Sequence, residues 1–406
     1  MPNLKNMDLE DRTFWIPKEE EVKQGLTTDA YFLYTKEILE KEGLNPRVTI
    51  EVFARKVDNN WGVVLGIYEV AKLLEGMDVD VYAMEEGEIF QTSDKTSIYE
   101  PVLSIEANYA DISIFENPIL GFLCFASGVA SKAARIRLAA DDKLLLSFGT
   151  RRSHPFMAPL IERAAYIAGF DSVSNVLGAK MMNKEAVGTM PHALILSFND
   201  QKKAWLAFDK YMPENVKRIA LIDTLYDEKI EAIMAYDALK DRLYGVRLDT
   251  PSSRRGNRRK IIEEVRWELA IRGAKDVKIF ASGGLDEEEI DDLKDIVDGF
   301  GVGTSVSSAK SIDFSFKIVE VHEDNKRIFR SKRGDLSGRK YVYRRNFDDI
   351  VSINDKAPEG YEPLLKPLIK DGKIVREFKS VDELRDRTMK RLKQFKDSEP
   401  RLRWEV

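Results

Sequence analysis

The segment 147–156, SFGTRRSHPF, brings together residues that bind anions and flat rings. It follows the apolar run Leu144–Leu146, which is typical of a buried strand. Arg151 and Arg152 can hold a carboxylate or a phosphate through the planar fork of the guanidinium group. Phe148 can stack on the face of a flat ring. The pattern predicts an anion site at the end of this strand, beside an aromatic side chain.

Two glycine-containing segments further along the chain predict a phosphate site. Ser282, Gly283 and Gly284 end one apolar run, and Gly303 and Thr304 end the next. Glycine has no side chain, so backbone N–H groups at these turns can close on a phosphate. One such turn is typical of an ordinary loop. Two of them in neighbouring strand-to-helix loops favour phosphate binding in a barrel.

Polar side chains at other predicted strand ends supply further chemistry. Thr189 and His192 lie in VGTMPHA, Asp223 ends the run 218–223, and Arg247 and Asp249 lie in GVRLDT. The aspartates can hold ribose hydroxyls, a metal-bound pyrophosphate or a histidine, and Asp249 can equally be an ion-pair partner of Arg247. A lone histidine is often structural, so the residue types alone leave the role of His192 open.

The elements that must position these residues alternate between strands and helices. Between the predicted strands lie helical segments such as Ile261–Arg272, where Ile261, Val265 and Leu269 share a face and Gly273 can cap the C-terminus. This rhythm indicates parallel strands with helical crossovers. Seven apolar runs in one region favour an irregular closed barrel: Leu144–Phe148, Gly169–Val173, Ala186–Met190, Arg218–Asp223, Gly245–Asp249, Val277–Ser282 and Asp298–Gly303.

The chain therefore divides into three predicted regions of an α/β protein. Residues 1–140 form an N-terminal α/β sandwich domain, residues 141–310 form the barrel of about seven parallel strands, and residues 311–406 form a C-terminal extension packed on the N-terminal domain. The extension contains the basic run Lys326–Arg345 with interleaved tyrosines, for which nucleic-acid binding is one interpretation. A solvated strand pair around Gly334 and Gly338 is the interpretation that we favour.

Composition limits the partners and the compartment. The 406 residues carry a formal net charge of −5, which gives no general attraction to nucleic acid or to acidic membranes. Cys124 is the only cysteine, which excludes internal disulfides and fits a reducing, cytoplasmic setting. The first 20 residues lack the apolar core of a signal peptide, and we predict no membrane span from the sequence.

A series of motifs resembles the nicotinate phosphoribosyltransferases, type II phosphoribosyltransferases, in their shorter archaeal-like form. The matching segments span about residues 26–308 in the order that the family shows, which is more specific than any one motif: LTTDAYFLYT, FGTRRSHP, GFDSVSNVLGAK, GTMPHALI, LIDTLYDE, GVRLDT, ASGGLDEEEI and GFGVGTS. The resemblance implies an irregular barrel of about seven strands with an α/β domain around the N-terminal segment.

The resemblance also implies a reaction. Nicotinate and phosphoribosyl pyrophosphate would form nicotinate mononucleotide and pyrophosphate in NAD salvage, with ATP hydrolysed through a phosphohistidine that aligns with His192. Mg²⁺ would bridge pyrophosphate oxygens, and we predict no side chain of this chain as a dedicated metal ligand. Asp249 would hold the ribose region and offset its developing positive charge. We infer that Asp223 orients His192, and that Arg151 answers the carboxylate of nicotinate.

In the family, a tyrosine from a neighbouring subunit stacks on the pyridine ring opposite the phenylalanine of the FG motif. The matching residues here are Tyr31 and Phe148, so the resemblance implies a homodimer, or a higher oligomer, with a shared active site. Some relatives carry a cysteine-ligated zinc knuckle in the tail. This chain has no tail cysteine, so that feature is absent or replaced.

Two rival functions stay open at this stage. Quinolinate phosphoribosyltransferase shares the fold and the phosphoribosyl donor but must bind two carboxylates without ATP; His192 and the long third region argue against it. The second rival is a non-catalytic barrel that binds a phosphorylated metabolite, or binds nucleic acid through the basic run. Such a protein would bind its ligand without releasing pyrophosphate.

Overall fold

The computed structural model describes residues 12–254, 256–324 and 326–405, which form two compact units. The first unit runs to Ser131 and resumes at Lys310, and the second runs from Lys132 to Ala309. The sequence predicted a boundary after residue 140, whereas this boundary lies inside a long helix. Residues 1–11 of the predicted first domain lie outside the described residues.

The N-terminal part of the first unit mixes helices with strands, and its last helix continues into the second unit. The helices are α1 (Glu19–Lys23), α2 (Ala30–Glu42), α3 (Ile67–Leu74), α4 (Tyr109–Ile112) and α5 (Glu116–Ala140). The strands are β1 (Arg47–Ala54), β2 (Trp61–Val63), β3 (Val79–Ala83), β4 (Ile89–Gln91) and β5 (Pro101–Asn108). Apolar residues of β1, β3 and β5 pack with those of α3 and α5 in one buried core.

The helical stretch Tyr109–Ala140 is long and apolar enough to cross a membrane by length and composition alone. Half of its most apolar window is buried inside the structure. Core helices of soluble proteins pass the same test, so this is weak evidence for a membrane span.

The second unit alternates strands and helices as the sequence predicted. Its strands are β6 (Leu144–Ser147), β7 (Ser172–Val173), β8 (Ile219–Leu221), β9 (Gly245–Leu248), β10 (Lys278–Ser282) and β11 (Gly299–Val302). Its helices are α6 (Ala158–Ile167), α7 (Val176–Met181), α8 (His192–Phe198), α9 (Gln201–Tyr211), α10 (Glu228–Leu239), α11 (Arg258–Ile271), α12 (Glu287–Leu293) and α13 (Thr304–Ser307). The predicted α/β fold with a parallel sheet is confirmed.

The parallel strands are ordered β7-β6-β11-β10-β9-β8. The first strand in the chain therefore lies between the second and the last, which is the order of a barrel rather than of an open sheet. Six strands form where the sequence predicted about seven, because the run Ala186–Met190 makes no ladder. Gly188 weakens a strand and Pro191 lacks an N–H. One bond, from the N–H of Val187 to the carbonyl of Val173 at 2.9 Å, places this segment beside β7.

The C-terminal part of the first unit is mostly strands. These are β12 (Phe314–Glu323), β13 (Lys326–Phe329), β14 (Tyr341–Arg345), β15 (Asp348–Ser352), β16 (Glu362–Pro363), β17 (Lys366–Lys370), β18 (Lys373–Ile374) and β19 (Arg401–Glu405), with helix α14 (Val381–Lys396). Ser380 and Glu383 form a capping box at the start of α14. C-terminal strands enter the N-terminal sheet, whose order is β13-β12-β1-β5-β3-β17-β18.

The basic run Lys326–Arg345 is not the solvated strand pair that we favoured. Its two strands do not pair with each other, since β13 pairs with β12 and β14 pairs with β15 and β16. Three of its cations are buried against glutamates: Arg339 with Glu106 at 2.6 Å, Lys340 with Glu51 at 3.0 Å and Arg344 with Glu88 at 2.8 Å. These charges hold strands together, and this explains their density without nucleic acid.

Candidate active site

The carboxyl ends of the parallel strands place the predicted site residues at one end of the second unit. Phe148 follows β6 directly and Asp249 follows β9, while Gly283 and Gly303 follow β10 and β11. Asp223 lies two residues beyond β8. Because neighbouring parallel strands end at the same edge, the side chains and turns after them meet there.

An imidazole and two carboxylates form the centre of this site. The Nε2 atom of His192 lies 3.1 Å from Oδ1 of Asp223, and its Nδ1 lies 4.0 Å from Oδ2 of Asp249. The other oxygen of Asp223 accepts a hydrogen bond of 2.7 Å from the N–H of Asp249. The Asp223 side chain is 3% exposed and that of His192 is 36% exposed. The carboxylate is thus fixed, and the imidazole is held but accessible.

Hydrogen bonding, neighbouring charges and burial shift the pKa values of His192 and Arg247. The hydrogen bond to Asp223 raises the pKa of His192 above its ordinary value, and burial opposes this shift. Burial lowers the pKa of Arg247, while Asp249 and Asp223 act to raise it. The site therefore holds a histidine with an increased affinity for protons beside a partly desolvated guanidinium group.

Arg247 lies between the charged cluster and the aromatic residue. Its Nη2 donates to the carbonyl of Met190 at 3.3 Å. Its Nε is buried without a hydrogen-bond partner among the described residues, so this donor is available to a ligand. Its guanidinium carbon lies 5.7 Å from the ring centroid of Phe148. Arg247 can thus act on an anionic group attached to a ring that stacks on Phe148.

Gly301 makes room for the ring of Phe148. A methyl group added at Gly301 would lie 2.4 Å from Cε2 of that ring, so only glycine allows this approach. The N–H of Phe148 donates to the carbonyl of Val302 at 2.8 Å, which continues the ladder beyond β6. Phe148 is therefore held against β11 both by its backbone N–H and by the packing of its ring on Gly301.

The two predicted glycine turns lie side by side. The strands before them pair in parallel, with Ser282 opposite Gly301. The hydroxyl of Ser305, in the second loop, donates to the carbonyl of Leu285 in the first at 2.7 Å. These contacts confirm that the two turns are neighbours. Their role in phosphate binding stays a prediction.

The first glycine turn also contacts the charged cluster. The hydroxyl of Ser282 donates to Oδ1 of Asp249 at 2.9 Å. A methyl group at Gly283 would lie 2.7 Å from the same oxygen. Gly283 and Gly284 have φ angles of +85° and +65°, which side chains rarely adopt. Space and backbone conformation both favour glycine at position 283, and backbone conformation alone favours it at position 284.

The remaining predicted residues differ in exposure. Arg151, Arg152 and Thr304 are exposed at the loops that follow β6 and β11, so their side chains are available to a ligand. The hydroxyl of Thr189 is buried without a hydrogen-bond partner in the described part of the chain. Tyr31 belongs to the other unit, on the first turn of α2, and is 57% exposed.

Comparison with known proteins bears on this site. Family models match in three places: the N-terminal domain of quinolinate phosphoribosyl transferase over residues 29–127, its C-terminal domain over 129–317, and the nicotinate phosphoribosyltransferase C-terminal domain over 338–403. The nicotinate phosphoribosyltransferase of Bacillus subtilis is 29% identical, covering 88% of this chain and 79% of the relative. The chain belongs to the nicotinate phosphoribosyltransferase family.

Solved structures agree with this assignment at the level of fold. The crystal structure of nicotinate-nucleotide pyrophosphorylase from Pyrococcus furiosus is 53% identical, with a TM-score of 0.90 and coverage of 95% of this chain and 99% of that chain. Human nicotinic acid phosphoribosyltransferase has a TM-score of 0.75 at 18% identity, covering 93% and 97% of the two chains. The second likeness concerns the fold alone. Family membership makes the chain a phosphoribosyltransferase.

Sequence reasoning missed two buried charged residues that hold the loops after β8 and β10 in this phosphoribosyltransferase. Glu231 of α10 accepts N–H bonds from residues 224–226, directly after Asp223. Arg258 of α11 donates to the carbonyls of Ser282 and Gly283. Each shares a helix face with buried apolar residues. A charged residue on an apolar helical face was the signal that could have revealed them.

Proposed function

We propose that this chain joins nicotinate to phosphoribosyl pyrophosphate, forming nicotinate mononucleotide and pyrophosphate for NAD salvage in the cytoplasm. The observation that carries the proposal is the cluster of His192, Asp223 and Asp249 beside the Gly283 turn, in a chain of this family. A glycine turn, an accessible imidazole and a phenylalanine at one edge suit a ring and a sugar phosphate together.

Nicotinate would lie with its ring on Phe148. Arg247, whose Nε lacks a partner within the described residues and whose guanidinium carbon lies 5.7 Å from the ring centroid, is suited to the carboxylate. Arg151 is exposed in the loop that follows Phe148 and is a second candidate for binding this carboxylate. A ring between Phe148 and a second aromatic side chain would be fixed for attack by its nitrogen on the sugar.

The sugar phosphate would lie across the two glycine turns. Departure of pyrophosphate leaves positive charge on the ribose, and Asp249 is placed to offset it. Its Oδ1 is engaged by Ser282, which leaves Oδ2, 4.0 Å from Nδ1 of His192, for a ligand. Carboxylate oxygen is a ligand that Mg²⁺ accepts, so Asp249 fits an ion carried on the pyrophosphate. When bound, Mg²⁺ would neutralise the leaving group.

ATP would be used through His192. The nitrogen that is not bonded to Asp223 attacks the terminal phosphorus of ATP, the bond to ADP breaks, and water later hydrolyses the phosphohistidine to phosphate. Protonation of this nitrogen would remove its lone pair. The Asp223 carboxylate, which holds Nε2 at 3.1 Å, supports the charge that the imidazole gains.

Tyr31 would act in a second copy of the chain. Tyr31 is 57% exposed, which suits contact with a neighbouring protomer. The proposal is a homodimer in which Tyr31 of one protomer covers the ring that lies on Phe148 of its partner. Larger assemblies built from such dimers are compatible with it.

Product analysis tests the function. The protein is incubated with nicotinate, phosphoribosyl pyrophosphate and Mg²⁺, with and without ATP, and mononucleotide, pyrophosphate and ADP are measured. We expect mononucleotide and pyrophosphate in equal amounts, and stimulation by ATP that His192→Ala abolishes. Stimulation that persists in this variant removes the phosphohistidine proposal. Absence of mononucleotide in every condition overturns the function.

Quinolinate phosphoribosyltransferase is a second candidate, because its two domain models match residues 29–127 and 129–317. The same assay with quinolinate in place of nicotinate separates the two functions. Release of carbon dioxide with mononucleotide from quinolinate alone would favour this candidate. We expect turnover of nicotinate and none of quinolinate.

A further inference from the structure

Arg258 is a buried cation directly behind the Gly283 turn. It is the first residue of α11, and it is 9% exposed on the face that also buries Ile262, Val265 and Leu269. These positions follow Arg258 by one, two and three helical turns, so the geometry of the helix places all four side chains on one side. A guanidinium group on such a face needs polar partners, because an unpaired buried charge is strongly unfavourable.

The partners of Arg258 are the carbonyls of the turn itself. Its Nη2 donates to the carbonyls of Ser282 and Gly283, both at 2.6 Å. Its Nη1 donates to Oε2 of Glu289 at 2.8 Å, which holds the other side of the fork. One planar group therefore fixes two consecutive peptide units of the turn.

Because the peptide group is planar, this contact also fixes the direction of the N–H groups in the turn. In a trans peptide the carbonyl and the following N–H point in opposite directions. With the carbonyls of Ser282 and Gly283 bound to Arg258, the N–H groups of Gly283 and Gly284 point away from α11. The turn would otherwise be free to rotate, since both glycines lack the side chains that restrict φ and ψ.

We propose that Arg258 is a positioning residue for donor binding: it fixes the Gly283–Gly284 turn in the orientation that receives the phosphate of phosphoribosyl pyrophosphate. This inference rests on the proposed function of the turn. Arg258 touches no substrate itself in this assignment. Through Ser282, whose hydroxyl binds Asp249 at 2.9 Å, the same anchor also holds the carboxylate next to the sugar.

The test compares Arg258 with its neighbour on the helix. Arg259 is also an arginine with carboxylate and carbonyl partners, but these are Asp295 and the carbonyl of Asp292 rather than the turn. We expect Arg258→Gln to raise the KM for phosphoribosyl pyrophosphate at least about tenfold, because small displacements of binding groups are costly. The KM for nicotinate should change less than about twofold. Arg258→Lys should restore part of the loss, and Arg259→Gln should match the wild type.

Equal KM values for the donor in Arg258→Gln and wild type overturn the inference. So does the same loss in Arg259→Gln, or an equal rise in both KM values, because either would indicate general damage to the fold. If Arg258→Gln does not fold, two milder variants replace it. Arg258→Lys retains a cation but loses the planar guanidinium group, and Glu289→Gln retains Arg258 but removes the charge of its carboxylate partner. A donor KM that neither of them raises also overturns the inference.

Binding of ribose 5-phosphate, measured by calorimetry, separates this inference from the proposed function. If the wild type forms no mononucleotide but binds ribose 5-phosphate, the proposed function fails, and a loss of binding in Arg258→Gln but not in Arg259→Gln still supports the positioning role. Unchanged binding in Arg258→Gln overturns that role whatever the enzyme turns over.

Discussion

Asp223 joins two parts of the candidate site with one carboxylate. One oxygen lies 3.1 Å from His192 and the other accepts the N–H of Asp249. The carboxylate thus sets the orientation of the imidazole relative to the end of β9. It also raises the affinity of His192 for a proton, and a protonated imidazole cannot accept a phosphoryl group.

Replacing Asp223 with Asn should lower the pKa of His192. The hydrogen bond to the carboxylate stabilises the charged imidazole, so its loss favours the neutral form. The pKa can be measured by NMR, since the chain has three histidines. In the wild type, ATP consumption should fall as the pH drops through this pKa. The titration of His322 should be the same in both proteins, and an unchanged or higher pKa of His192 in the variant would contradict the assignment.

Gly301→Ala should displace the ring of Phe148. The added methyl group would lie 2.4 Å from that ring, which must move. If nicotinate stacks on Phe148, its KM should rise about tenfold with a smaller change for the phosphoribosyl donor. Gly121→Ala is the control, because a methyl group there meets open space and should leave both KM values unchanged. A rise in the donor KM alone would argue against ring stacking on Phe148.

At the scale of elements, the sequence predicted the positions of most parallel strands and the residues at their ends. Apolar runs followed by glycines or aspartates predicted five of the six parallel strands closely. They also placed the candidate site residues at one edge, because strand ends in a parallel sheet converge. The run Ala186–Met190 was predicted wrongly as a strand, since apolar composition alone does not show whether a segment finds a ladder partner. The anchors Arg258 and Glu231 depend on contacts between elements distant in sequence, and local patterns do not encode those.

The C-terminal strands illustrate the same limit, because their charges are satisfied only in the folded sheet. Arg344, which the sequence places in an ordinary basic run, is fully buried, and its Nε donates to Asp349 at 2.8 Å. Its guanidinium also lies 2.8 Å from Glu88. This buried guanidinium therefore links β14 to Asp349 of β15 and to Glu88, the residue before β4.

Arg344→Met should therefore destabilise the first unit by about 3 kcal/mol, since it leaves the buried carboxylate of Asp349 without its main partner. Chemical denaturation followed by circular dichroism measures this loss. Arg345→Met is the matched control: Arg345 is exposed, 4.0 Å from Asp348, and its loss should cost less than about 1 kcal/mol. Equal effects in the two variants would show that burial of the Arg344 pair is energetically unimportant.

At the scale of the whole molecule, helix α2 carries an exposed stripe of large side chains. Tyr31, Tyr34 and Ile38 recur at helical spacing and are 57%, 56% and 60% exposed. Such a stripe on one helix is typical of a surface that another molecule covers. A second copy of the chain fits, because the proposed site needs an aromatic side chain opposite Phe148.

Co-expression of two damaged chains tests whether the site is shared. Tyr31→Ala and His192→Ala chains, made together, should form mixed dimers in which one site has both an intact barrel and an intact tyrosine. With random pairing, half of the dimers are mixed and each has one intact site of two, so ATP-stimulated activity at low nicotinate should reach about a quarter of the wild type. His192→Ala with Asp249→Asn is the control, because both changes damage the same barrel site and no pairing repairs it. Activity in the first mixture no higher than in the control would mean that Tyr31 acts within its own chain. Activity of about half of the wild type, with Tyr31→Ala alone fully active, would mean that Tyr31 has no role in the site.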